Sequence, residues 1–76
     1  MNSAFSISFG ALAPTFDEQL TAQGLKLDMD PLARARLQTH ANAVTDLRIH
    51  SILTEGESDK ARQRILQIIR KHARPA

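Results

Sequence analysis

The chain has 76 residues, a formal net charge of +2 and no Cys, Trp or Tyr. A chain of this length is expected to form one small domain, near the lower size limit for folding alone. The lack of Cys excludes disulfides and thiolate metal sites, and it fits a reducing compartment. No apolar run approaches the roughly 20 residues of a membrane span, and no basic region marks a secretory signal, so we expect a soluble, cytoplasmic protein with no membrane contact.

The charges are unevenly distributed along the chain. Residues 1–56 carry more anions than cations, whereas residues 57–76 carry six cations against two anions. The C-terminal part is therefore predicted to be a basic element, and the remainder to be slightly acidic.

The N-terminal residues have the alternation of an extended segment. Phe5, Ile7 and Phe9 alternate with serines, and Gly10 ends the pattern, so we expect an extended arm over residues 1–14. This arm has three alternative positions. In the first, it pairs with residues 25–29, which also alternate. In the second, it pairs with another copy of the chain or with the sheet edge of a partner. In the third, it lays its Phe side chains on the helices without forming a sheet, or it is disordered.

Residues 15–29 are predicted to form a short helix and a connection. Thr15 followed by Glu18 is a capping box, which starts a helix. Gly24 fits the left-handed position that follows a helix C-terminus. We therefore expect a helix over about residues 16–23, which is too short to be stable unless it packs on the rest of the chain.

An antiparallel helical hairpin is predicted over residues 30–76. Asp30 before Pro31 is an N-cap signal, and apolar residues then recur at helical spacing, which predicts a helix over about 31–52. Its apolar stripe contains Ala33, Leu37, Ala41, Val44 and Leu47. Ile49 lies off this stripe and is a candidate contact for the first helix, the arm or a partner.

The second helix of the hairpin is predicted over about residues 55–73. Thr54 and Glu57 form a second capping box, and Pro75 is expected to end the helix. Its apolar arc contains Ala61, Ile65, Leu66, Ile68 and Ile69, and its opposite arc is basic. We expect Ile65, Ile68 and Ile69 to pack on Leu37, Val44 and Leu47. The sequence thus predicts an all-α domain with a small core, which favours a docked N-terminal segment or dimerisation.

The stretch from Leu47 to Leu66 resembles the short C-terminal domain called SHOCT. That family has a turn reading Gly-Ile-Ile-Thr-Glu-Glu-Glu-Phe between two helices, followed by a Lys-rich helix and a Leu pair. Here the turn reads Ser-Ile-Leu-Thr-Glu-Gly-Glu-Ser over residues 51–58, with Ser51 for Gly, Gly56 for Glu and Ser58 for Phe. The resemblance implies a helical hairpin.

Most of the chain also resembles small uncharacterised proteins of phages and prophages. Those proteins begin with Ser-Phe-Gly-x-Leu-Ala-Pro followed by Glu-Gln-Leu, and they end in a helical hairpin. The matching stretches here are residues 8–14 and 18–20. This resemblance implies a phage context and carries no catalytic residues.

The residues give no pattern for catalysis. His40 and His50 are ten apart, which does not place them one above the other as a metal pair on a helix. We expect His40 at the core edge and an exposed ion pair between Asp46 and His50. Neither a Ser nucleophile motif nor a phosphate-binding loop is present. We therefore expect no enzyme, no catalytic residue, no metal and no cofactor.

The sequence favours a small helical protein that binds another protein, as a host-factor inhibitor, a regulator or an assembly factor. One alternative is a nucleic-acid-binding regulator that uses the basic face of the last helix. Another is a homo-oligomerisation module. The candidate partner-binding residues are Phe5, Ile7, Phe9, Ile49, Lys60, Arg64, Gln67, Arg70, Lys71 and Arg74.

Overall fold

The computed structural model describes residues 6–76, which fold into three helices and one two-stranded sheet. The elements in chain order are α1 (Phe16–Ala22), β1 (Leu25–Leu27), α2 (Pro31–Ile49), α3 (Glu55–His72) and β2 (Ala73–Pro75). The long helices α2 and α3 pack on each other, while α1 packs on β1. The mostly helical architecture that the sequence predicts is confirmed, and the all-α assignment holds in this coarse form; what it misses is the short two-stranded sheet.

The helices begin where their capping signals predicted. In α1, the Glu18 N–H donates to Thr15 Oγ1 at 3.2 Å and the Thr15 N–H donates to Glu18 Oε1 at 3.0 Å. The same reciprocal pair at Thr54 and Glu57 starts α3, with distances of 3.1 and 2.8 Å. Each box satisfies two backbone donors that a helix N-terminus leaves unpaired. Asp30 caps α2.

The helices end slightly earlier than predicted. Gly24 adopts a φ of +77° after α1, which confirms its left-handed role. Ser51 takes a φ of +60° and stops α2, so this helix ends at Ile49 rather than near residue 52. Leu47 then accepts backbone hydrogen bonds from the two residues after Ser51, at 2.9 and 3.2 Å, which closes the turn.

The C-terminal residues leave the helix and form a strand. The sequence assigned Ala73 to the last helix and gave Pro75 the role of ending it; instead, α3 ends at His72, and β2 pairs antiparallel with β1. The partner of the 25–27 segment is thus β2. This pairing joins two segments that are far apart in sequence, so a local pattern could not predict it.

The register explains why a proline fits in β2. The Asp28 N–H donates to His72 O at 2.8 Å, and the Ala76 N–H donates to Gly24 O at 3.0 Å. Hydrogen-bonded pairs alternate with non-bonded pairs in an antiparallel ladder. Pro75 therefore occupies a non-bonded position, where its missing N–H costs nothing.

One hydrophobic core joins the helices and β1. Its buried members are Phe16, Leu20, Leu27, Leu37, Ala41, Val44, Ile65 and Ile69. The predicted stripe of α2 is confirmed at Leu37, Ala41 and Val44, while Leu47 is half-buried. The predicted core position of Ile68 is wrong, because its side chain is 39% exposed whereas Ile69 is fully buried.

Candidate protein interface

The N-terminal candidates lie largely against the chain's own core. Phe5 is outside the described residues, while Ile7 and Phe9 are half-buried and pack on the core. The Phe9 ring meets the Phe16 ring edge-on, with centroids 5.4 Å apart, and the Arg62 guanidinium lies 4.9 Å above Phe9. Residues 6–9 form no strand, so over this range the segment follows the alternative of an arm laid on the helices.

The glutamines of α1 hold this segment by its backbone. The Ser8 N–H donates to Gln19 Oε1 at 2.7 Å, and Gln19 Nε2 donates to Ser8 O and Pro14 O, both at 2.9 Å. Gln23 Nε2 donates to Ser6 O at 3.2 Å. Side-chain amides thus supply the hydrogen bonds that a neighbouring strand would otherwise give.

The basic face of α3 is exposed as predicted. The candidates on this face are Lys60, Arg64, Gln67, Arg70, Lys71 and Arg74, and all are exposed. Arg74 Nη1 donates to Lys71 O at 2.8 Å and to Ala73 O at 2.9 Å, which ties this side chain to the end of α3. From Lys60 onward the chain contains no acidic residue, so the face has a uniformly positive character.

An open apolar groove lies between the start of α2 and the end of α3. It has a volume of about 420 Å³. We call this the apolar groove, and its lining residues are Met29, Leu32, Ala33, Leu37 and Ile68, with Asp30, Arg36 and His40 at the rim. Leu32 is 58% exposed and Ile68 39% exposed, so two large apolar side chains are left in contact with water here.

Two cations of the basic face neighbour Ile68 along α3. Arg64 and Lys71 are four and three residues from Ile68 on α3, a spacing that places their side chains beside it on the helix surface. Helical spacing therefore places two of the predicted basic residues beside Ile68, while the cation that lines the groove itself is Arg36. A polar or charged rim around apolar anchors is the usual composition of a protein–protein interface.

A second exposed apolar surface lies at the other end of α2. We call it the turn patch; it is formed by Leu12 and Ile49, and it borders a groove of about 270 Å³ that Phe9, Gly10 and Thr45 also line. Leu12 is fully exposed and Ile49 is 70% exposed. Because α2 rises about 1.5 Å per residue, the turn patch is about 25 Å along the axis from Leu32.

The histidines lie in no cluster with metal-binding geometry among residues 6–76. No group of three His, Asp or Glu side chains in this part of the chain is placed to hold a metal ion. The predicted pair is present, with His50 Nε2 3.5 Å from Asp46 Oδ1 at an exposed position. His40 is exposed, so its predicted place at the core edge is wrong.

Comparisons with protein-family models, with curated proteins and with solved structures give no match. The SHOCT-like and phage-type resemblances therefore stay expectations from the sequence. No helix within residues 6–76 is long and apolar enough to cross a membrane.

Sequence reasoning missed several residues of these surfaces. Leu32 precedes the apolar stripe of α2, and Leu12 lies in a loop where periodicity carries no information. Gln19 is a polar residue in a short helix, and only the folded chain shows that its amide binds Ser8. For Leu32, the one sequence signal is that it lies outside the apolar stripe of α2, which begins at Ala33.

Proposed function

We propose that the protein acts by binding another protein through the apolar groove and its basic rim. The observation that carries this proposal is the exposure of Leu32 and Ile68 in one groove; Arg64 and Lys71 neighbour Ile68 by helical spacing. Small proteins rarely leave large apolar side chains together in a groove unless a ligand or partner covers them. The activity proposed is binding alone, in the cytoplasm, as an inhibitor, regulator or assembly factor of the phage type that the sequence resembles.

The chemistry of the groove defines the kind of partner. Two apolar anchors flanked by cations suit an amphipathic segment that presents apolar side chains with Asp or Glu beside them. Burial of the apolar anchors would supply most of the affinity. The cations would select the acidic partner and speed its association, with a dependence on salt concentration.

Substitutions in the groove test the proposal directly. A protein captured from cytoplasmic extract is purified, and its affinity is measured by titration calorimetry against the wild type and against Ile68→Glu. We expect the substitution to weaken binding at least tenfold, since it places an anion in the apolar groove and opposes the acidic partner. Arg64→Glu should weaken binding as well, and more strongly at low salt.

A matched control is Ile52→Glu, because Ile52 is a similarly exposed apolar residue, 68% accessible, in the turn between α2 and α3. It should bind as the wild type does. If Ile68→Glu binds as tightly as the wild type, the apolar groove is not the interface and the proposal is wrong.

A second candidate function is nucleic-acid binding by the basic face. The observation in its favour is the run of six exposed cations after Asp59 with no anion among them. Phosphate contacts would make affinity for a generic DNA duplex fall steeply with salt, with each lost contact reducing the slope by about one. Fluorescence anisotropy of a labelled duplex with wild type, Arg64→Ala and Lys71→Ala measures this. Absence of binding at about 50 mM salt would eliminate this candidate.

A further inference from the structure

The pairing of β1 with β2 sets two cations side by side. Lys26 of β1 lies directly opposite Arg74 of β2, and both residues are exposed. Directly paired residues of an antiparallel ladder project from the same face of the sheet, and Lys26 projects away from the core because its neighbour Leu27 is buried. Like charges in this position destabilise a sheet, so an anion bound between the two side chains would relieve a repulsion that folding creates.

This cross-strand pair lies at the end of the basic face of α3. The strand β2 follows α3 without a break, and Arg74 Nη1 donates to Lys71 O, which holds the guanidinium at the C-terminus of the helix. On α3, Lys60, Arg64 and Lys71 lie within an arc of about 40°, so they form a straight line about 16 Å long. We call the basic row the set that begins with this line and continues onto the sheet: Lys60, Arg64, Lys71, Arg74 and Lys26.

The positive charge of the basic row is only weakly compensated within the protein. Three acidic residues, Asp28, Glu57 and Asp59, are near the row in sequence. Among residues 6–76, none of the three forms an ion pair of 4.0 Å or less with a cation of the row. No Asp or Glu follows residue 59, so the charge is least balanced at the end of the row that meets the sheet.

The composition of the basic row favours the phosphate backbone of a nucleic-acid duplex as its ligand. The row contains no apolar side chain, and the residue that shares its line on α3 is Gln67. A protein partner would need apolar anchors, and a membrane surface would need apolar side chains that enter it. No aromatic residue follows Phe16, so the row offers no platform on which the bases of a single strand could stack.

We infer that the basic row, from Lys60 to the cross-strand pair of Lys26 and Arg74, binds the phosphates of a nucleic-acid duplex without reading its sequence. This inference rests on the second candidate function, to which it adds the two sheet residues and the choice of a duplex. A row of cations on one helix and one sheet fits regularly spaced phosphates, whose contacts carry affinity but no sequence information.

The variant Lys26→Ala tests the inference, because Lys26 is remote from α3 in sequence and does not line the apolar groove. Fluorescence anisotropy of a short labelled duplex is measured with the full chain over a range of salt concentrations. With one phosphate contact for each cation of the row, the slope of log affinity against log salt should be about −4.5, and Lys26→Ala should reduce its magnitude by about 0.9. Lys26→Arg should keep the wild-type slope. The matched control is Arg48→Ala, which removes one exposed cation that pairs with Glu55 instead, and it should also keep that slope.

The choice of ligand is tested with the same assay. A duplex of scrambled sequence should bind as tightly as the first, and a single strand of equal length should bind more weakly. Tighter binding of the single strand, or an unchanged slope in Lys26→Ala while the duplex still binds, would overturn this inference and leave the second candidate function in place. Absence of duplex binding at about 50 mM salt would eliminate both.

Thermal unfolding of Lys26→Glu separates a role in binding from a role in the sheet. This substitution places opposite charges across the strands, so the Tm should be no lower than that of the wild type. Its affinity for the duplex should nevertheless fall at least tenfold, since an anion then faces the phosphates. A Tm that falls together with the affinity would assign Lys26 to the stability of the sheet and overturn the inference.

Discussion

At the residue scale, Ser51 is under backbone strain. Among residues 6–76 it is the only non-glycine residue with a positive φ, at +60°, a conformation that costs an L-residue about 1–2 kcal/mol. Ser51→Gly should therefore raise the free energy of unfolding by about 0.5–1 kcal/mol, after the greater chain entropy of glycine is subtracted.

Thermal unfolding measures this effect, and for a domain of this size a gain of about 1 kcal/mol raises the Tm by roughly 4–8 °C. Ser51→Ala is the control, since alanine keeps the β-carbon that causes the strain, and it should bring no gain. Equal stability of the Gly and Ala variants would show that the strain at residue 51 is not significant.

Residue-scale features were predictable from sequence when they are local. Both capping boxes and the Asp30 cap depend on residues at most three apart, and all three are present. The assignment of Ile68 to the core was wrong because adjacent helical residues differ by only about 100° around the axis. Which of Ile68 and Ile69 is buried depends on how α3 is rotated against the other elements, and periodicity alone does not determine that rotation.

At the element scale, the start of α3 should depend on pH. The backbone N–H of Thr54 and then its hydroxyl, both hydrogen-bonded to Glu57, hold the pKa of that carboxyl below its ordinary value of 4.5. A depressed pKa means that the contribution to stability is fully present above pH 4.5 and is lost as the pH falls through the lower, folded-state pKa. Acidification should therefore weaken the first turn of α3.

The variant Glu57→Gln isolates this effect, because the amide keeps an acceptor for the Thr54 N–H and does not titrate. Below pH 4.5 the stability difference between wild type and Glu57→Gln should shrink. Carboxyl NMR titration of the wild type should give Glu57 a pKa lower than that of an unstructured Glu. A Glu57 that titrates at the ordinary value would contradict the capping account.

The sheet between β1 and β2 gives a second prediction at this scale. The register makes Lys26 and Arg74 a hydrogen-bonded pair. Arg74→Pro should remove the N–H of that pair and lower the free energy of unfolding by about 1–3 kcal/mol. Ala73, with φ −72° and ψ 132°, already has the conformation that a residue before proline requires, so little additional strain is expected.

Arg74→Ala is the matched control, because it removes the same side chain and keeps the N–H. Urea unfolding of the two variants separates the backbone bond from the side-chain bonds to Lys71 and Ala73. If both variants lower the free energy of unfolding equally, the backbone hydrogen bond donated by the N–H of residue 74 does not stabilise the sheet. The sheet could not be predicted from sequence, because three-residue strands are too short to show periodicity and β2 contains a proline.

At the scale of the whole molecule, the helices and their order were predictable, whereas the surfaces were not. Hydrophobic periodicity and capping signals predict α2 and α3 because both are long and amphipathic. The apolar groove combines Met29 and Leu32 with Ile68, which is more than thirty residues away. The position of residues 6–9 depends on Gln19 and Arg62, whose polar side chains give no sequence signal for such a role.

The core predicts that the whole domain unfolds as one unit. α1 inserts Leu20, which is fully buried, into the same cluster as Ile69 of α3. Leu→Ala at a buried site costs about 2–5 kcal/mol, and a single core of this size rarely supplies more than about 3–5 kcal/mol in total. Leu20→Ala should therefore remove most of the stability of α1 and of the α2–α3 pair together.

Native-state hydrogen exchange of the full chain distinguishes unfolding of the domain as one unit from a hairpin that folds alone. In Leu20→Ala, amide protection should fall in the middle of α3 by as large a factor as in α1, because both open through the same global event. Thr21→Ala, an exposed change on the same helix, should leave both unaffected. Retained protection in α2 and α3 after loss of protection in α1 would instead identify the hairpin as the cooperative unit, with α1 and residues 6–9 opening separately from it.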